Sequence, residues 1–356
     1  MSYKVVVWGT GNVGQPALRT VVSNPQLELV AVVVANPNKV GRDAGDLCGI
    51  GPVGVKATND AAAVLKKGAD AVAYCASGDF RPDEALADIE RCLRAGLNVV
   101  STSVYPLYDP TSAPAEIRER MEAACREGGT SCFVSGIDPG YINDAIPVLL
   151  SGLCEEIHEI RAFELFNYAF YDQPDAVRNL VGFGLPMDDV PPMVMAGVPT
   201  MVWGGPIRMV ARALGVELEE IREVVERRPL ERTVTNQLGV FDAGTQGALR
   251  FEVQGIVGGQ PKIVIEHVTR IADDVAGDWP KPEGAGAHGV RIKGRPNIEL
   301  SIESEDERGD RAGGGNATAA ARVVNSIPFV CEAAPGLLDA LSVPLQPGRG
   351  LLKTRG

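Results

Sequence analysis

The strongest constraint on the fold is a glycine pattern that directly follows a short β-branched run. Residues 4–8 (KVVVW) predict a buried strand, and Gly9, Gly11 and Gly14 follow it in the spacing G-x-G-x-x-G. The first glycine permits a tight turn, the second lets a pyrophosphate approach the backbone, and the third lets a helix pack closely on the strand. The start of that helix adds free N–H groups and a positive dipole end. The segment is therefore predicted to bind a dinucleotide through Gly9, Thr10, Gly11, Asn12, Val13 and Gly14.

Apolar runs alternate with helical patterns along the first 145 or so residues. Strands are predicted at 27–34, 71–75, 98–101 and 131–134, and helices at 16–23, 83–95 and 115–127. Strands joined in this way by helices form a parallel sheet with helices on both faces. The first domain is therefore predicted to be a doubly wound α/β (Rossmann) domain.

The pattern changes after residue 145. An amphipathic helix is predicted over 217–227, and strands over 248–257, 262–269 and 297–303, with Gly258–Gly259 as a hairpin connection. Residues 273–287 and 305–315 are predicted to be a loop and a charged link, and 316–325 a last helix. We expect a second, α+β domain with a mostly antiparallel sheet over 146–310. The first domain then comprises 1–145 plus a return segment, 311–356.

The end of the second strand bears on the choice of nicotinamide cofactor. An NAD site usually has a carboxylate there to accept from the ribose 2′-hydroxyl. This chain instead has Asn36, Asn38 and Lys39, with Arg42 close by. These side chains favour NADP(H), and use of NAD(H) stays open. The alternative is that Lys39 and Arg42 are solvated loop charges.

Small residues follow two further strands and are candidate cofactor contacts. Ligands of doubly wound sheets lie beyond the carboxyl ends of the strands. The candidates at these positions are Ala76, Ser77, Ser101, Thr102 and Ser103. Each of them is equally compatible with a plain turn.

Composition excludes several classes of partner. With 46 Asp+Glu against 34 Lys+Arg, the net charge of −12 argues against nucleic acid and anionic membranes. Prolines and glycines interrupt the apolar stretch 190–216, so no transmembrane segment is expected. The seven cysteines form no C-x-x-C pair and the three histidines are far apart, which argues for reduced thiols, a cytoplasmic location and no metal site.

Several segments together resemble one family, the dihydrodipicolinate reductase-like oxidoreductases, in the branch of 2,4-diaminopentanoate dehydrogenase and the amine dehydrogenases. The resemblance is carried by GTGNVG (9–14), NPNKVGRDAGDLCG (36–49), NVVSTS (98–103), SGIDPGYINDAIP (135–147) and GGNATAAARVVNSIPFVCEAAPGLL (314–338). It implies a Rossmann domain plus an α+β domain that forms a homodimer and covers the substrate. It also implies hydride transfer between nicotinamide and a carbon that carries an amine or imine.

The chain departs from this family at one position. The resemblance implies a glutamate shortly after residues 98–101, but here Val104 follows Ser101–Ser103, and the first acid is Asp109. Candidate proton donors and acceptors are therefore Tyr105, Asp138, Tyr168 and His267, which are equally compatible with turns or a core.

We expect an NAD(P)-dependent oxidoreductase that acts on a C=O or C=N carbon of a small, largely apolar substrate. The aromatic segment 163–171 and the Met-rich segment 187–209 suggest this apolar character, although they are equally compatible with a core or dimer interface. One alternative is an amine dehydrogenase whose acid is Glu164 or Asp138. The other is a cofactor-binding sensor without catalysis.

Overall fold

The computed structural model describes residues 2–79, 81–171 and 173–352. The chain folds into two compact units, one of residues 1–137 with 316–356 and one of residues 138–315. The sequence analysis placed the corresponding limits at 145 and 311. No helix within the described ranges has both the length and the apolar character needed to cross a membrane.

The first unit is built on a sheet of seven parallel strands. Its strands are β1 (Tyr3–Trp8), β2 (Leu27–Val33), β3 (Ala57–Thr58), β4 (Ala71–Tyr74), β5 (Asn98–Ser101), β6 (Ser131–Val134) and β15 (Gly336–Leu338). They lie in the order β15-β6-β5-β4-β1-β2-β3. The chain winds outward from β1 in both directions, so the predicted doubly wound sheet is confirmed, with the switch point beside β1.

Helices cover this sheet because each has one apolar face. They are α1 (Gly14–Ser23), α2 (Ala44–Cys48), α3 (Ala61–Leu65), α4 (Pro82–Arg94), α5 (Ala115–Gly128) and α9 (Ile327–Glu332). Helix α4 shows the rule, with proline and acids in its first turn, arginines in its last, and Leu86, Ile89 and Leu93 buried on one face. Helix α8 (Arg311–Val324) precedes α9, and its Ala320, Val323 and Val324 join the core of the first unit.

The second unit is built on a mixed, mainly antiparallel sheet of six strands. They are β7 (Glu156–Asn167), β8 (Glu220–Pro229), β11 (Gln246–Val257), β12 (Gln260–Arg270), β13 (Gly286–Arg295) and β14 (Ile298–Ile302), in the order β14-β13-β7-β12-β11-β8. Only the pair β7–β12 is parallel among these neighbours. Helices α6 (Ala145–Ser151) and α7 (Val198–Leu214) and the hairpin β9 (Val234–Asn236)–β10 (Gly239–Phe241) complete the unit.

The helix predicted over 217–227 is wrong, because this segment forms strand β8. The apolar positions Leu218, Ile221, Val224 and Val225 fit a helical period, but three of them are β-branched. In the structure β8 pairs antiparallel with β11 from Glu220 to Pro229. Pairing along a long neighbouring strand overrides the local helical pattern.

Two predicted limits also need correction. The loop predicted over 273–287 ends earlier, because β13 begins at Gly286, and the link predicted over 305–315 ends where α8 begins at Arg311. Glycine caused the first error. A Cβ on Gly286 would lie 2.3 Å from the Phe166 ring, so this glycine lets an aromatic ring pack over the strand and is not a turn signal.

Candidate active site

The glycine turn between β1 and α1 fits a dinucleotide. Gly9 has φ of +100°, and a Cβ there would lie 2.8 Å from the backbone nitrogen of Ala76. A Cβ on Gly14 would lie 2.1 Å from the carbonyl oxygen of Gly9, so both positions require glycine. No described atom lies within 4 Å of a Cβ built on Gly11, and no side chain caps the start of α1. The turn therefore presents open backbone of the kind that binds a pyrophosphate.

Lys39 brings a cation to this turn. Its Nζ donates to the carbonyl oxygen of Thr10 at 2.9 Å and lies 3.1 Å from the Thr10 hydroxyl. Asn36 Oδ1 accepts from the backbone N–H of Asn38 at 2.9 Å, so this side chain shapes its own turn. Arg42 is exposed.

Asp43, the first acidic residue after β2, forms hydrogen bonds within its own loop. The carboxylate of Asp43 accepts the backbone N–H groups of Val53, Gly45 and Gly54 at 2.8–2.9 Å. These hydrogen bonds, that from Val53 first, lower the pKa of Asp43. The carboxylate therefore orders its own loop, and Lys39 is the charged group that contacts the glycine turn.

The loops after β4 and β5 are tied together by their hydroxyl groups. Ser101 Oγ donates to the carbonyl oxygen of Tyr74 at 2.9 Å, and Ser103 Oγ donates to that of Ala76 at 2.5 Å. Tyr105 donates to Asp79 Oδ1, and Ser77 donates to Asp79 Oδ2 at 3.1 Å. These contacts order the carboxyl edge of the first sheet. Thr102 is the remaining candidate cofactor contact on this edge, and its carbonyl oxygen accepts a hydrogen bond from the Tyr108 hydroxyl at 3.1 Å.

Val104 is a strained residue on this edge. It has φ of 75° and ψ of 74°, a left-handed conformation that a β-branched residue rarely adopts. Its side chain is buried in an apolar cluster with Leu107, Tyr108 and Met121. Residue 104 therefore belongs to the core of the first unit.

We expect Val104→Glu to lower the free energy of unfolding by about 2–4 kcal/mol, because it places a carboxylate among apolar side chains. Thermal unfolding measures this effect, with Val40→Glu as the control, since Val40 is an exposed valine of the same unit. Equal melting temperatures for the two variants would show that residue 104 tolerates a carboxylate.

The second unit holds a buried cluster of acids and histidines, which we call the His–acid cluster: Asp138, Glu164, Tyr168, His267 and His288. Strand register builds most of it. Glu164 of β7 lies opposite His267 of β12 on one side and His288 of β13 on the other. Three neighbouring strands thus present a carboxylate flanked by two imidazoles on one face of the sheet.

His267 links the two carboxylates of the cluster. Its Nε2 lies 3.1 Å from Asp138 Oδ1, and its Nδ1 lies 3.7 Å from Glu164 Oε1. Glu164 is held further by the Tyr168 hydroxyl, which donates to Oε1 at 3.0 Å, and by His288 Nε2, 3.2 Å from Oε2. The His267 and His288 side chains are only 6% and 4% exposed, so these charges interact with little screening by water.

Asp138 is held from three sides. The indole N–H of Trp203 donates to Oδ1 at 2.6 Å, and the Asn143 amide donates to Oδ2 at 3.2 Å. With His267 as the third partner, the Asp138 side chain is completely buried. Trp203 lies on α7, and its ring packs on those of Phe251 and His267.

The charges in the cluster stabilise one another. Burial opposes protonation of His267, but Asp138 and then Glu164 outweigh it and raise its pKa to about 10. Burial likewise opposes ionisation of Glu164, but His267 and His288 lower its pKa well below the usual range. Burial and Glu164 raise the pKa of Tyr168, so this hydroxyl stays protonated. At neutral pH, therefore, His267 is an imidazolium and Glu164 a carboxylate.

The same groups have the spacing of metal ligands. Asp138, Glu164 and His288 offer ligand atoms that all lie within 4.8 Å of one another. Two carboxylates and one imidazole suit a divalent ion. The Glu164 and His288 atoms already share a direct hydrogen bond, so an ion would have to replace that bond.

The structure thus brings together three of the four catalytic candidates, Asp138, Tyr168 and His267. The fourth, Tyr105, bonds to Asp79 in the first unit. The sequence analysis named Glu164 only as an alternative acid and missed His288, Trp203 and Asn143. His288 is one of only three histidines, but only strand register shows that it faces Glu164.

The aromatic and Met-rich segments do not act as one surface. Tyr168 packs on Tyr171 and Phe183, and Phe166 packs on His288, so aromatic rings line part of the His–acid cluster. Met209 is completely buried, whereas Met195 and Met201 are 52% and 54% exposed.

Comparison with known proteins identifies the family. The family model of the 2,4-diaminopentanoate dehydrogenase C-terminal domain matches residues 141–349, and that of the dihydrodipicolinate reductase N-terminus matches residues 3–106. An amine dehydrogenase from Streptomyces virginiae is 59% identical over 351 residues, 98% of each chain. The chain belongs to the 2,4-diaminopentanoate dehydrogenase family. It is an NAD(P)-dependent dehydrogenase of the dihydrodipicolinate reductase-like group, and the predicted resemblance is confirmed.

A more distant relative and a solved structure are also similar to the chain. The 2,4-diaminopentanoate dehydrogenase of Acetoanaerobium sticklandii is 26% identical over 96% of this chain and 93% of its own. The solved structure of an amine dehydrogenase from Mycobacterium smegmatis has a TM-score of 0.79 at 20% identity, over 98% of both chains. This second match shows the shared fold.

Proposed function

We propose that this dehydrogenase is an amine dehydrogenase that interconverts a small, largely apolar primary amine with its ketone or aldehyde. The single observation that carries the proposal is the His–acid cluster, in which buried carboxylates lie around a protonated imidazole. The 59% identity to an amine dehydrogenase supports it.

The cluster suits a cationic amine because of its carboxylates. Asp138 and Glu164 lie on either side of His267 in a buried site. An ammonium or alkylammonium ion donates charge-assisted hydrogen bonds to carboxylate oxygens. An alcohol of the same shape gains no such attraction.

Proton transfer by His267 completes the chemistry. In the direction of amine synthesis, ammonia adds to the carbonyl carbon, and the resulting hydroxyl must leave as water. Its departure as water requires a proton, which the His267 imidazolium donates. Asp138 and Glu164 stabilise the imidazolium before the transfer. A bound nicotinamide would supply the hydride that reduces the imine carbon. In the reverse direction, neutral His267 accepts a proton as water adds to the imine.

The pKa of His267 matches this work. Asp138 and Glu164 raise this pKa, so the acid form of His267 persists above neutral pH and stays available for the proton transfer.

An ammonium requirement tests the proposal. With ketone and reduced cofactor, we expect oxidation of the cofactor only when ammonium chloride is present, with potassium chloride as the control for ionic strength. Equal rates in the two salts would mean that the carbonyl is reduced to an alcohol, and the amine proposal would be wrong.

We further propose that NADP(H) is the preferred cofactor. The contact of Lys39 with the glycine turn and the engagement of Asp43 in its own loop support this preference. We expect NADPH to bind about tenfold more tightly than NADH, or about 1.4 kcal/mol. Fluorescence titrations of wild type and Lys39→Ala measure this ratio, which should fall in the variant and not in the exposed-site control Lys66→Ala. Tighter binding of NADH by wild type would contradict the preference.

A homodimer in the cytoplasm is also proposed. Large apolar side chains that are more than half exposed in the second unit support an interface, among them Phe170, Val190, Met195 and Met201. The free state of all seven cysteines supports a reducing compartment.

A further inference from the structure

Ser135 carries a buried hydroxyl group that the first unit leaves unused. The residue directly follows β6 and is only 1% exposed. Its backbone N–H donates to the carbonyl oxygen of Ser101 at 3.0 Å, and its own carbonyl oxygen accepts from Tyr108 at 3.3 Å. Its Oγ, by contrast, has no hydrogen-bond partner among the residues described. The backbone is thus fixed, and the side chain lacks a partner.

A buried hydroxyl without a partner is a cost to the fold. Such a group loses its hydrogen bonds to water on burial and gains none in return. An alanine would fill nearly the same space without that penalty. A ligand that offers a hydrogen bond to Oγ would remove the cost when it binds.

The position of Ser135 indicates which ligand this is. It stands at the carboxyl edge of the first sheet, where doubly wound folds bind their ligands. The glycine turn and Lys39 lie at β1 and β2, which assigns the adenosine half of the cofactor to that side of the switch point. The nicotinamide half then extends along β4, β5 and β6, toward Ser135.

A second observation points to the same edge. Val104, in the loop after the neighbouring strand β5, is held in a left-handed conformation that is strained for a β-branched residue. Such strain persists only where the surroundings impose it, and it concentrates at ligand clamps. Strain and an unused hydroxyl therefore occur side by side, on adjacent strand ends.

We propose that Ser135 Oγ binds the carboxamide group of the nicotinamide ring. A carboxamide offers both an N–H donor and a carbonyl acceptor, and a hydroxyl both donates and accepts. An alkylammonium substrate offers donors only, and the His–acid cluster already supplies carboxylates for it. This assignment rests on the use of a nicotinamide cofactor and is independent of the amine chemistry.

A pair of ligands that differ only in the nicotinamide tests the assignment. NADP⁺ and 2′-phospho-ADP-ribose share every group except the nicotinamide ring. We expect Ser135→Ala to weaken binding of NADP⁺ about five- to tenfold and to leave binding of 2′-phospho-ADP-ribose unchanged, as measured by calorimetry without substrate. The unliganded variant should melt no lower than wild type, because it loses an unpaired group.

Ser131→Ala is the matched control. Ser131 starts the same strand and is equally buried, but its Oγ donates to the carbonyl oxygen of Ala334 at 2.9 Å. We expect this variant to melt at a lower temperature and to bind the two ligands in the wild-type ratio.

Three results would overturn the assignment. Unchanged affinity for both ligands in Ser135→Ala would mean that Oγ does not contact the cofactor. An equal loss for both would mean a general distortion of the first unit. A raised KM for the amine with normal cofactor affinity would mean that Ser135 binds substrate instead.

Discussion

Asp138→Asn lowers the rate of reductive amination at pH 9 by about a hundredfold, within the range that general acid catalysis contributes. The asparagine keeps the shape of the side chain and the hydrogen bond from Trp203, but it loses the charge. The Asp138 carboxylate is the leading cause that raises the pKa of His267 to about 10. Without this carboxylate the pKa of His267 falls. The imidazolium that protonates the leaving hydroxyl is therefore lost at a lower pH.

The pH profile distinguishes this effect from simple misfolding. In wild type the acid form of His267 persists until the pH approaches 10, and in Asp138→Asn it disappears earlier. The rate of Asp138→Asn divided by the rate of wild type should therefore fall as the pH rises. The titration of ammonium affects both rates equally and cancels in this ratio. Asp274→Asn is the control, since Asp274 forms an exposed ion pair with Arg232, and loss of such a pair has little effect. A ratio that does not change with pH would mean that Asp138 does not control the protonation of His267 in the reaction.

His267→Asn removes the dependence of stability on alkaline pH. A histidine whose folded-state pKa lies above its unfolded value of ~6.5 stabilises the fold fully below pH 6.5 and loses this effect as the pH rises toward 10. The melting temperature of wild type should therefore fall across that range. In the variant that part of the fall should be absent.

The same variant is less stable than wild type at neutral pH. It leaves the buried carboxylates of Asp138 and Glu164 without their shared cation, and loss of one partner of a buried pair costs about 3–5 kcal/mol. Thermal unfolding at pH 6.5 and pH 10 tests both effects, with His158→Asn as the control because the His158 side chain is 60% exposed. Equal melting temperatures for wild type and His267→Asn at pH 6.5 would show that His267 is not an imidazolium in the folded protein.

Local patterns were enough to predict most of the first unit, although β3, β15 and the short helices α2, α3 and α9 were missed. The glycine turn, the buried strand after it and the apolar face of α4 each depend on residues close together in the chain. Strand and helix limits there agree with the structure to within one or two residues at most positions. The doubly wound sheet follows from these units because such strands and helices have few ways to pack.

The second unit depended on information that the sequence does not display. Segment 217–227 has a helical pattern, but β11 recruits it as strand β8. The His–acid cluster depends on the register of β7 with β12 and β13, and Glu164 of β7 precedes His267 and His288 by more than 100 residues. The sequence therefore allowed Asp138 and His267 to be named as separate candidates. Their pairing, and the contact of His288 with Glu164, could not be predicted.

The segment after β5, where the family resemblance implies a glutamate, is apolar at residue 104. Val104 is buried there, and a carboxylate in its place would have no partner in the apolar cluster. The second unit supplies carboxylates on β7 and at Asp138 instead. The proposal of an amine dehydrogenase thus rests on a different set of residues from the one that the family resemblance implies.

The most direct test compares a primary amine with the alcohol of the same carbon skeleton. Initial rates of NADP⁺ and NAD⁺ reduction are measured with each substrate at pH 9–10, for wild type and for Asp138→Asn. The account predicts reduction with the amine, none with the alcohol, and a large loss with the amine in the variant. Reduction with the alcohol and none with the amine would contradict it.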